Sequence, residues 1–247
     1  MSERVALVTG GTRGIGRAIA RRLLENGLSV CITARKIDGL AAAAESLGNP
    51  DRLLTIAGRS DDPDHRRTAV DEVIDRFGRL DVLVNNAGVN PVFGDLIDLD
   101  ERAAEKIMNV NLHAAVGWAR EMRRVHSGSQ GAIVNISSYS TVRPSPGLGM
   151  YGASKAALQH ITKQLALEFA PEVRVNCVIP ALIATEFAGR LFEGRREAAE
   201  REYPLARLGS PGDVAAAVAF LSSDQAGWIT GESLLLDGGL SLNGGVK

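Results

Sequence analysis

The sequence predicts an α/β fold, a single doubly wound domain with a parallel β-sheet and helices on both faces. The main observation is that short apolar runs alternate with helix-compatible segments along all 247 residues. A glycine-rich turn also follows the first apolar run, and a small polar turn follows the fourth. Because ligands of open parallel sheets bind at the carboxyl ends of strands, both turns are expected to line a ligand site.

The predicted elements follow one another without a break. The first strand, residues 5–8, leads through the glycine-rich turn to a helical pattern at 18–26. The other strands are predicted at 29–33, 53–57, 82–84, 131–136, 173–179 and 233–236, and the other helices at 37–47, 63–77, 100–125, 151–170 and 213–222. An irregular segment at 185–204 is the predicted substrate lid. No repeat or linker interrupts the pattern, so residues 1–247 are predicted to form one domain.

Composition argues against several classes of protein. The net charge is −1, no basic block occurs and aromatic residues are few, so no nucleic-acid partner is expected. The polar start of the chain and the absence of a long apolar run predict a cytoplasmic protein without a membrane contact. Cys31 and Cys177 lie far apart in apolar runs and are predicted to be buried free thiols. The four histidines lack metal-ligand spacing, so no metal is predicted.

The first turn has the composition of a phosphate-binding loop. It reads Thr-Gly-Gly-Thr-Arg-Gly-Ile-Gly from Thr9 to Gly16. Glycines let a backbone approach a phosphate closely, and the N-terminus of the following helix offers N–H groups and a partial positive charge. A plain tight turn stays the alternative, because the spacing differs from the Gly-x-Gly-x-x-Gly dinucleotide fingerprint.

The residues after the second strand favour one form of a nicotinamide cofactor. NAD-binding folds place an acidic residue there, on the ribose hydroxyls. Here the sequence is Ala34-Arg35-Lys36, and Arg13 lies in the adjacent turn. An arginine would pair with the 2′-phosphate of NADP in a charge-assisted hydrogen bond of about 1.5–3 kcal/mol. Unless both arginines are solvated surface charges, they predict NADP(H) rather than NAD.

A tyrosine and a lysine share one face of a predicted helix. Tyr151 and Lys155 lie four residues apart, and Ser138 lies thirteen residues before the tyrosine. A neighbouring ammonium stabilises a phenolate and lowers the tyrosine pKa from its usual value near ~10, which permits proton exchange near neutral pH. An isolated pair of this kind is more often a solvated helix face, but the two turns favour the functional interpretation.

Together, the motifs from Thr9 to Gly239 resemble those of the short-chain dehydrogenase/reductase family. The glycine turn is similar to the cofactor turn of that family, and Asn85-Asn86-Ala87-Gly88 is similar to its central-strand motif. The resemblance implies a Rossmann domain with seven parallel strands in the order 3-2-1-4-5-6-7. It also implies hydride transfer between a nicotinamide cofactor and a carbonyl group or secondary alcohol.

The resemblance extends to single residues. The implied catalytic residues are Asn111, Ser138, Tyr151 and Lys155. The predicted cofactor-binding residues are Gly10, Thr12, Arg13, Gly14, Ile15, Gly16, Arg35, Asn86, Ala87, Gly88, Tyr151, Lys155, Pro180, Ile183 and Thr185.

Each implied catalytic residue has an implied role. Tyr151 exchanges the proton of the substrate oxygen, and Ser138, preferred to Ser137 for its spacing, hydrogen-bonds that oxygen. Lys155 lowers the tyrosine pKa and holds the nicotinamide ribose. Asn111 anchors a water of the proton path.

Two positions depart from the family pattern. Arg59 stands near the place of an aspartate that contacts adenine, so either Asp61 or Asp62 takes that role or the contact is missing. Ala181, instead of glycine, follows Pro180.

The expected substrate is a small carbonyl compound, with a 3-oxoacyl thioester carried on acyl carrier protein or coenzyme A as the leading prediction. This follows because the pattern is most similar to 3-oxoacyl-(acyl-carrier-protein) reductases. The usual basic residues for a carrier are missing around Gln130 and Glu172, although Arg123, Arg124 and the group Arg195, Arg196 and Arg201 are possible substitutes. The alternatives are another apolar ketone, aliphatic, terpenoid or steroid, or an alcohol oxidised with NAD. The predicted substrate walls are 89–93, 139–148, 181–182 and 187–203, with Phe93, Tyr139, Leu148, Phe187 and Phe192.

The family resemblance also implies a homotetramer, or else a dimer. The predicted contact surfaces are the apolar face of the tyrosine helix and the last strand. Their residues are Ala156, Ala157, Ile161, Leu165 and Leu234 to Leu236. Ordinary packing against the sheet is the alternative.

Overall fold

The computed structural model describes residues 4–48, 50–127, 130–185 and 196–243 of the chain. Seven parallel strands form one sheet in the order β3-β2-β1-β4-β5-β6-β7, which confirms the predicted fold and strand order. The strands are β1 Val5–Thr9, β2 Ser29–Ala34, β3 Leu53–Ala57, β4 Val82–Asn85, β5 Gly131–Ile136, β6 Val173–Pro180 and β7 Ser233–Leu236.

Helices cover both faces of the sheet, as in a doubly wound fold. They are α1 Gly14–Glu25, α2 Ile37–Leu47, α3 Pro63–Phe77, α4 Glu101–Met108, α5 Ala114–Val125, α6 Gly149–Phe169, α7 Arg196–Arg201 and α8 Pro211–Ser222. On one face α1, α2 and α8 pack on the sheet, and on the other face α3, α5 and α6 do so.

The strands are apolar without interruption because both of their faces are buried. In β1, Ala6 and Val8 point into one core, whereas Val5 and Leu7 point into the other. Trp118 of α5 is fully buried in the second core. Cys31 and Cys177 are buried and unpaired, which confirms their predicted state.

The structure corrects the predicted helix at 100–125. That segment is α4, then a π-helical turn at Asn109–His113, then α5. No proline or glycine marks residues 101–113, so no local breaker signals this change. The wider turn carries Asn111, which is 1% exposed. π-Helical turns inside α-helices are frequent at functional sites.

Other boundaries shift by a few residues for local reasons. Helix α1 begins at Gly14 rather than 18, because glycines that look like a loop form its first turn. Helix α8 begins at Pro211, where Ser210 and Asp213 form a capping box that fixes the start. The segment predicted to be irregular contains α7, and residues 186–195 of the predicted lid lie outside the described residues.

Over the described ranges, every helix is either too short or too polar to cross a lipid bilayer.

Candidate active site

The turns after β1 and β4 bind each other through polar groups. Thr9 Oγ1 accepts hydrogen bonds from the backbone N–H groups of Asn86 at 3.0 Å and Ala87 at 2.9 Å. The Asn86 amide nitrogen in turn donates to the carbonyl oxygens of Thr9 at 2.8 Å and Gly10 at 3.2 Å. The two turns that the sequence singles out therefore form one rigid wall. Thr9 belongs to the predicted turn, but its role in joining the two turns has no signal in the sequence.

The glycine turn depends on glycine at two points. Gly14 has φ +53°, in the left-handed region that favours glycine. A Cβ atom on Gly16 would lie 2.3 Å from the carbonyl oxygen of Gly10 and 2.5 Å from the Asn86 amide nitrogen. Only glycine allows α1 to begin this close to β1.

The N-terminus of α1 suits an anion. Arg13 is its N-cap residue, its side chain accepts no hydrogen bond from the first N–H groups of the helix, and residues 14–17 carry no acid. The first N–H groups of a helix lack partners within the helix and carry a partial positive charge. A dinucleotide pyrophosphate fits such a site. Nearby, Ile15 packs on the core, and Thr12 lies beside Gly39 in the first turn of α2.

The end of β2 adjoins this turn. Gly10 and Gly11 both donate their N–H groups to the carbonyl oxygen of Thr33, at 2.8 and 3.2 Å. Arg35 follows two residues later with an exposed side chain. Topology therefore places Arg35 and Arg13 on neighbouring turns, as the sequence predicts.

The two aspartates after β3 have other partners. Asp61 accepts hydrogen bonds from Arg59 Nη2 at 2.9 Å and Lys106 Nζ at 2.6 Å. The hydrogen bond from Arg59, supported by Lys106, lowers the pKa of Asp61. Asp62 is the N-cap of α3 and accepts from Asp64 N–H at 3.0 Å. Asp61 is thus a partly buried carboxylate held between two cations, and an adenine contact by either aspartate stays a prediction.

The segment after β6 returns to the glycine turn. Ile183 is 5% exposed and forms a parallel bridge with Gly209. A Cβ atom on Gly14 would meet the Thr185 methyl group at 3.3 Å, so Thr185 lies beside the start of α1. Pro180 and Ala181 connect β6 to this segment, and the Ala181 N–H donates to Leu236 O at 2.9 Å.

Tyr151 and Lys155 lie on the same face of α6, as predicted. Lys155 Nζ lies 5.8 Å from the centre of the Tyr151 ring and donates to the carbonyl oxygen of Ile136, the last residue of β5, at 2.8 Å. The lysine is 3% exposed. Ser138, just after β5, shares a hydrogen bond with the Tyr151 phenol. The structure thus brings together all three residues of the predicted proton-transfer centre.

The pKa values of this pair correct one expectation. Burial lowers the pKa of Lys155 to about 8. Burial also raises the pKa of Tyr151, and the hydrogen bond to Ser138 offsets this only in part. The expectation from the sequence is that Lys155 lowers the tyrosine pKa. Burial of the phenol is the largest cause of the shift, and it raises the pKa instead.

Asn111 binds protein groups rather than presenting its amide to solvent. Its Oδ1 accepts from Val89 N–H at 2.8 Å, and its Nδ2 donates to Val89 O at 3.1 Å and to Ser154 Oγ at 3.0 Å. Both hydrogens of the Asn111 amide are therefore used, so a water bound to this residue would have to donate a hydrogen bond to one of its oxygen atoms. A Cβ atom on Gly88 would lie 3.3 Å from Lys155 Nζ and 3.4 Å from Asn111 Oδ1, so this backbone adjoins both side chains.

The structure separates the two serines after β5. Ser137 is 4% exposed, and its hydroxyl donates to the Lys155 carbonyl oxygen at 3.1 Å. Ser138 alone of the two bonds to Tyr151. Ser154, which is not among the predicted site residues, accepts from Asn111 and donates to the backbone carbonyl oxygen of Tyr151 at 2.7 Å. Its place in the Tyr-Gly-Ala-Ser-Lys run was the available signal.

An apolar wall lies beside the start of α6. Phe93 is 49% exposed and adjoins Gly147, and Leu96 is 55% exposed and adjoins Gly149, two residues before Tyr151. Tyr139 and Leu148 are partly buried nearby in sequence. Phe187 and Phe192 of the predicted wall lie outside the described residues.

Comparisons with known proteins agree on a family. A family model described as enoyl-(acyl carrier protein) reductase matches residues 10–241. The chain is 38% identical over 247 aligned positions to dehydrogenase/reductase SDR family member 4 of Sus scrofa, covering 97% of this chain and 88% of that protein. It is 38% identical over 239 positions to tropinone reductase-like 3 of Erythroxylum coca, covering 96% and 92%.

Solved structures show the same similarity. A short-chain dehydrogenase/reductase from Brucella melitensis, described as glucose/ribitol dehydrogenase, superposes with a TM-score of 0.92 at 32% identity over 96% of both chains. The aldohexose dehydrogenase of Thermoplasma acidophilum superposes with a TM-score of 0.89 at 31% identity, over 99% of this chain and 96% of that one.

Proposed function

The chain belongs to the short-chain dehydrogenase/reductase family, and we propose that it is an NADP(H)-dependent carbonyl reductase whose substrate is an apolar ketone. The observation that carries this proposal is the convergence of Ser138, Tyr151 and Lys155 at the end of β5. The glycine turn and the N-terminus of α1 fit a dinucleotide at the carboxyl edge of the same sheet.

The residues of the site suit proton transfer to a carbonyl oxygen. The nicotinamide supplies or accepts hydride when it is bound. Tyr151 donates the proton in reduction, since its raised pKa keeps the phenol protonated at neutral pH. Ser138 hydrogen-bonds the substrate oxygen, and the ammonium of Lys155 stabilises the phenolate left behind. Asn111 holds the backbone at Val89 beside this centre.

The preference for NADP(H) rests on charge. Arg35 is exposed at the end of β2, next to the turn that carries Arg13, and no acid stands at positions 34 or 35. A 2′-phosphate there would meet cations rather than a carboxylate.

The proposal of an apolar ketone rests on the apolar wall and on the contacts of the arginines that could receive a carrier protein. Phe93 and Leu96 present apolar side chains beside the start of α6. The name of one relative, tropinone reductase-like 3, also refers to a ketone.

Within the described part of the chain, the basic residues proposed to receive an acidic carrier each have a partner. Arg124 binds Asp71 at 2.6 Å and Glu121 at 2.7 Å. Arg196 binds Glu200 at 2.9 Å, Arg201 binds Glu197 at 3.4 Å, and Arg123 lies 5.5 Å from the centre of the Phe169 ring. Arg195 lies outside the described residues. This pairing disfavours docking of a carrier protein.

A 3-oxoacyl thioester is the second candidate substrate. The description of the matching family model refers to acyl carrier protein, and an apolar wall would also accept an acyl chain. A thioester of coenzyme A would not need the arginines for carrier docking.

A matched panel tests both proposals. Acetoacetyl coenzyme A, a cyclic ketone and a sugar ketone would each be assayed with NADPH and with NADH. We expect kcat/KM to be at least ~10-fold higher with NADPH than with NADH, because one lost charge-assisted bond costs this much. Among the three substrates, we expect the highest kcat/KM for the cyclic ketone. Preference for the thioester would select the second candidate, and preference for NADH would overturn the cofactor proposal. If the protein turned over none of the three compounds with either cofactor, the proposed reductase function would be refuted.

We also propose a cytoplasmic homotetramer, with a dimer as the alternative. All four residues of the edge strand β7 are partly exposed, and Ala156, Ala157 and Ile161 remain accessible on α6, whereas Leu165 is buried in the core. Size-exclusion chromatography with light scattering tests this proposal, and a monomer would refute it.

A further inference from the structure

Gln159 connects α6 to the segment that carries Ser138. It lies one helical turn after Lys155 and two after Tyr151, with a partly buried side chain. Its Nε2 donates one hydrogen bond to Ser137 Oγ at 3.0 Å and another to Thr141 Oγ1. Both partners belong to residues 137–141, which we call the serine loop.

The two hydroxyl groups determine how this amide must point. The Ser137 hydroxyl donates its hydrogen to the Lys155 carbonyl oxygen at 3.1 Å, and the Thr141 hydroxyl donates its hydrogen to the Ser138 carbonyl oxygen at 2.7 Å. Each hydroxyl has a single hydrogen, so toward Gln159 it can only accept. The atom that faces them must therefore be the amide nitrogen, and both of its hydrogens are used.

The serine loop packs closely on the helix. A Cβ atom on Gly152 would lie 3.3 Å from the carbonyl oxygen of Ser140, so this loop lies directly against the turn after Tyr151. Within the loop, Ser138 Oγ accepts from the backbone N–H of Ser140 at 3.3 Å and from its hydroxyl at 3.1 Å. Through Thr141, Gln159 thus holds the backbone of the residue whose hydroxyl bonds to the Tyr151 phenol.

We propose that Gln159 is a positioning residue: by holding the serine loop against α6, it sets the distance between the Ser138 hydroxyl and Tyr151. The catalytic part of this inference rests on the proposed reductase function. Because small displacements of reacting groups cost large factors in rate, loss of the two hydrogen bonds should act on turnover rather than on cofactor binding.

Two substitutions separate this role from simple packing. Gln159→Met keeps the length of the side chain but removes both donors. Gln159→Glu keeps the shape but places a carboxylate, which only accepts, against two acceptors. Gln164→Met is the matched control, since Gln164 is exposed on the same helix and donates to Glu168 Oε1 at 2.7 Å. Thr141→Val removes the partner and should reproduce the effect of Gln159→Met.

The kinetic test measures kcat, KM and the Kd of NADPH for each variant, together with its melting temperature. We expect kcat to fall at least ~10-fold in both Gln159 variants, with the Kd of NADPH within about twofold of the wild type. Combining Gln159→Met with Thr141→Val should add little to either single change, because both break one connection. A lower melting temperature with unchanged kcat would make Gln159 merely structural and overturn the proposal.

Hydrogen exchange provides a measurement that does not depend on activity. The serine loop should exchange its backbone amides at least ~10-fold faster in Gln159→Met than in the wild type, and Gln164→Met should leave them unchanged. Unchanged exchange in Gln159→Met would refute the connection. If the wild type reduced no carbonyl compound, the proposed function would fail, while the exchange result would still decide whether Gln159 holds the loop.

Discussion

The carboxamide of Asn111 binds both backbone polar groups of Val89, accepting from its N–H at 2.8 Å and donating to its carbonyl oxygen at 3.1 Å. This pair joins the π-helical turn between α4 and α5 to the segment after β4. It therefore fixes the backbone that follows Gly88 and adjoins Lys155.

Asn111→Asp should damage both stability and turnover. The carboxylate would keep the bond from Val89 N–H but would face the carbonyl oxygen of Val89 and lose its donor to Ser154. A buried group left without its partner costs about 1–3 kcal/mol, so urea unfolding should show that loss and kcat should fall at least ~10-fold. Asn109→Asp, an exposed change in the same turn, should have little effect, and equal losses in the two variants would contradict the prediction.

Tyr151→Phe should abolish turnover while leaving the Kd of NADPH within a few-fold of the wild type. The change removes the phenolic proton donor and keeps the ring that packs near Lys155. Steady-state rates and a fluorescence titration with NADPH measure the two quantities. Activity similar to the wild type would eliminate Tyr151 as the proton donor.

Arg35→Ala should weaken NADPH binding without changing the affinity for NADH. One charge-assisted hydrogen bond of about 1.5–3 kcal/mol corresponds to a loss of roughly 10- to 150-fold. Titration of the protein with both cofactors measures this difference. Arg67→Ala, an exposed substitution on α3, is the matched control. A parallel loss for NADH would mean that Arg35 does not recognise the 2′-phosphate.

Lys155→Met should change how stability depends on pH. Burial lowers the pKa of Lys155 from its usual 10.5 to about 8, so between these values the unfolded chain binds more protons than the folded one. The free energy of unfolding of the wild type should therefore increase by about 3 kcal/mol as the pH rises through that window. Lys155→Met has no ammonium at this position and should lack this increase.

Unfolding in urea at pH 7, 8, 9 and 10 measures this effect. The stability of Lys155→Met relative to the wild type should be greatest at pH 7 and should decrease steadily above pH 8. Lys163→Met, on the exposed face of the same helix, controls for the loss of a lysine. A difference between wild type and Lys155→Met that is constant with pH would argue against a buried ammonium.

Gly16→Ala should disrupt the cofactor turn. The new methyl group would lie 2.3 Å from the carbonyl oxygen of Gly10, which is backbone and cannot move aside without shifting the turn. We expect NADPH affinity to fall at least ~10-fold and the melting temperature to decrease by several degrees. Gly212→Ala in α8 meets its nearest atom at an ordinary 3.5 Å and should not reduce either quantity. Normal NADPH binding by Gly16→Ala would show that the turn does not touch the cofactor.

Much of the fold and of the candidate site follows from the sequence. All seven strands agree with their predicted bounds or differ by a single residue at the carboxyl end, and β3, β5 and β7 agree at both ends. Strands buried on both faces are apolar throughout, and this signal is local. The four-residue spacing of Tyr151 and Lys155 also decides by itself that both side chains share one helical face.

Only the tertiary structure decides how the side chains of the site are used. The amide of Asn111 and the hydroxyl of Ser137 bind partners 22 and 18 residues away, and the π-helical turn that carries Asn111 has no signal of its own in the sequence. The pKa of Tyr151 rises rather than falls because burial depends on everything packed around the phenol. Spacing along a chain determines local geometry, whereas desolvation and hydrogen bonds between distant segments exist only after the chain has folded.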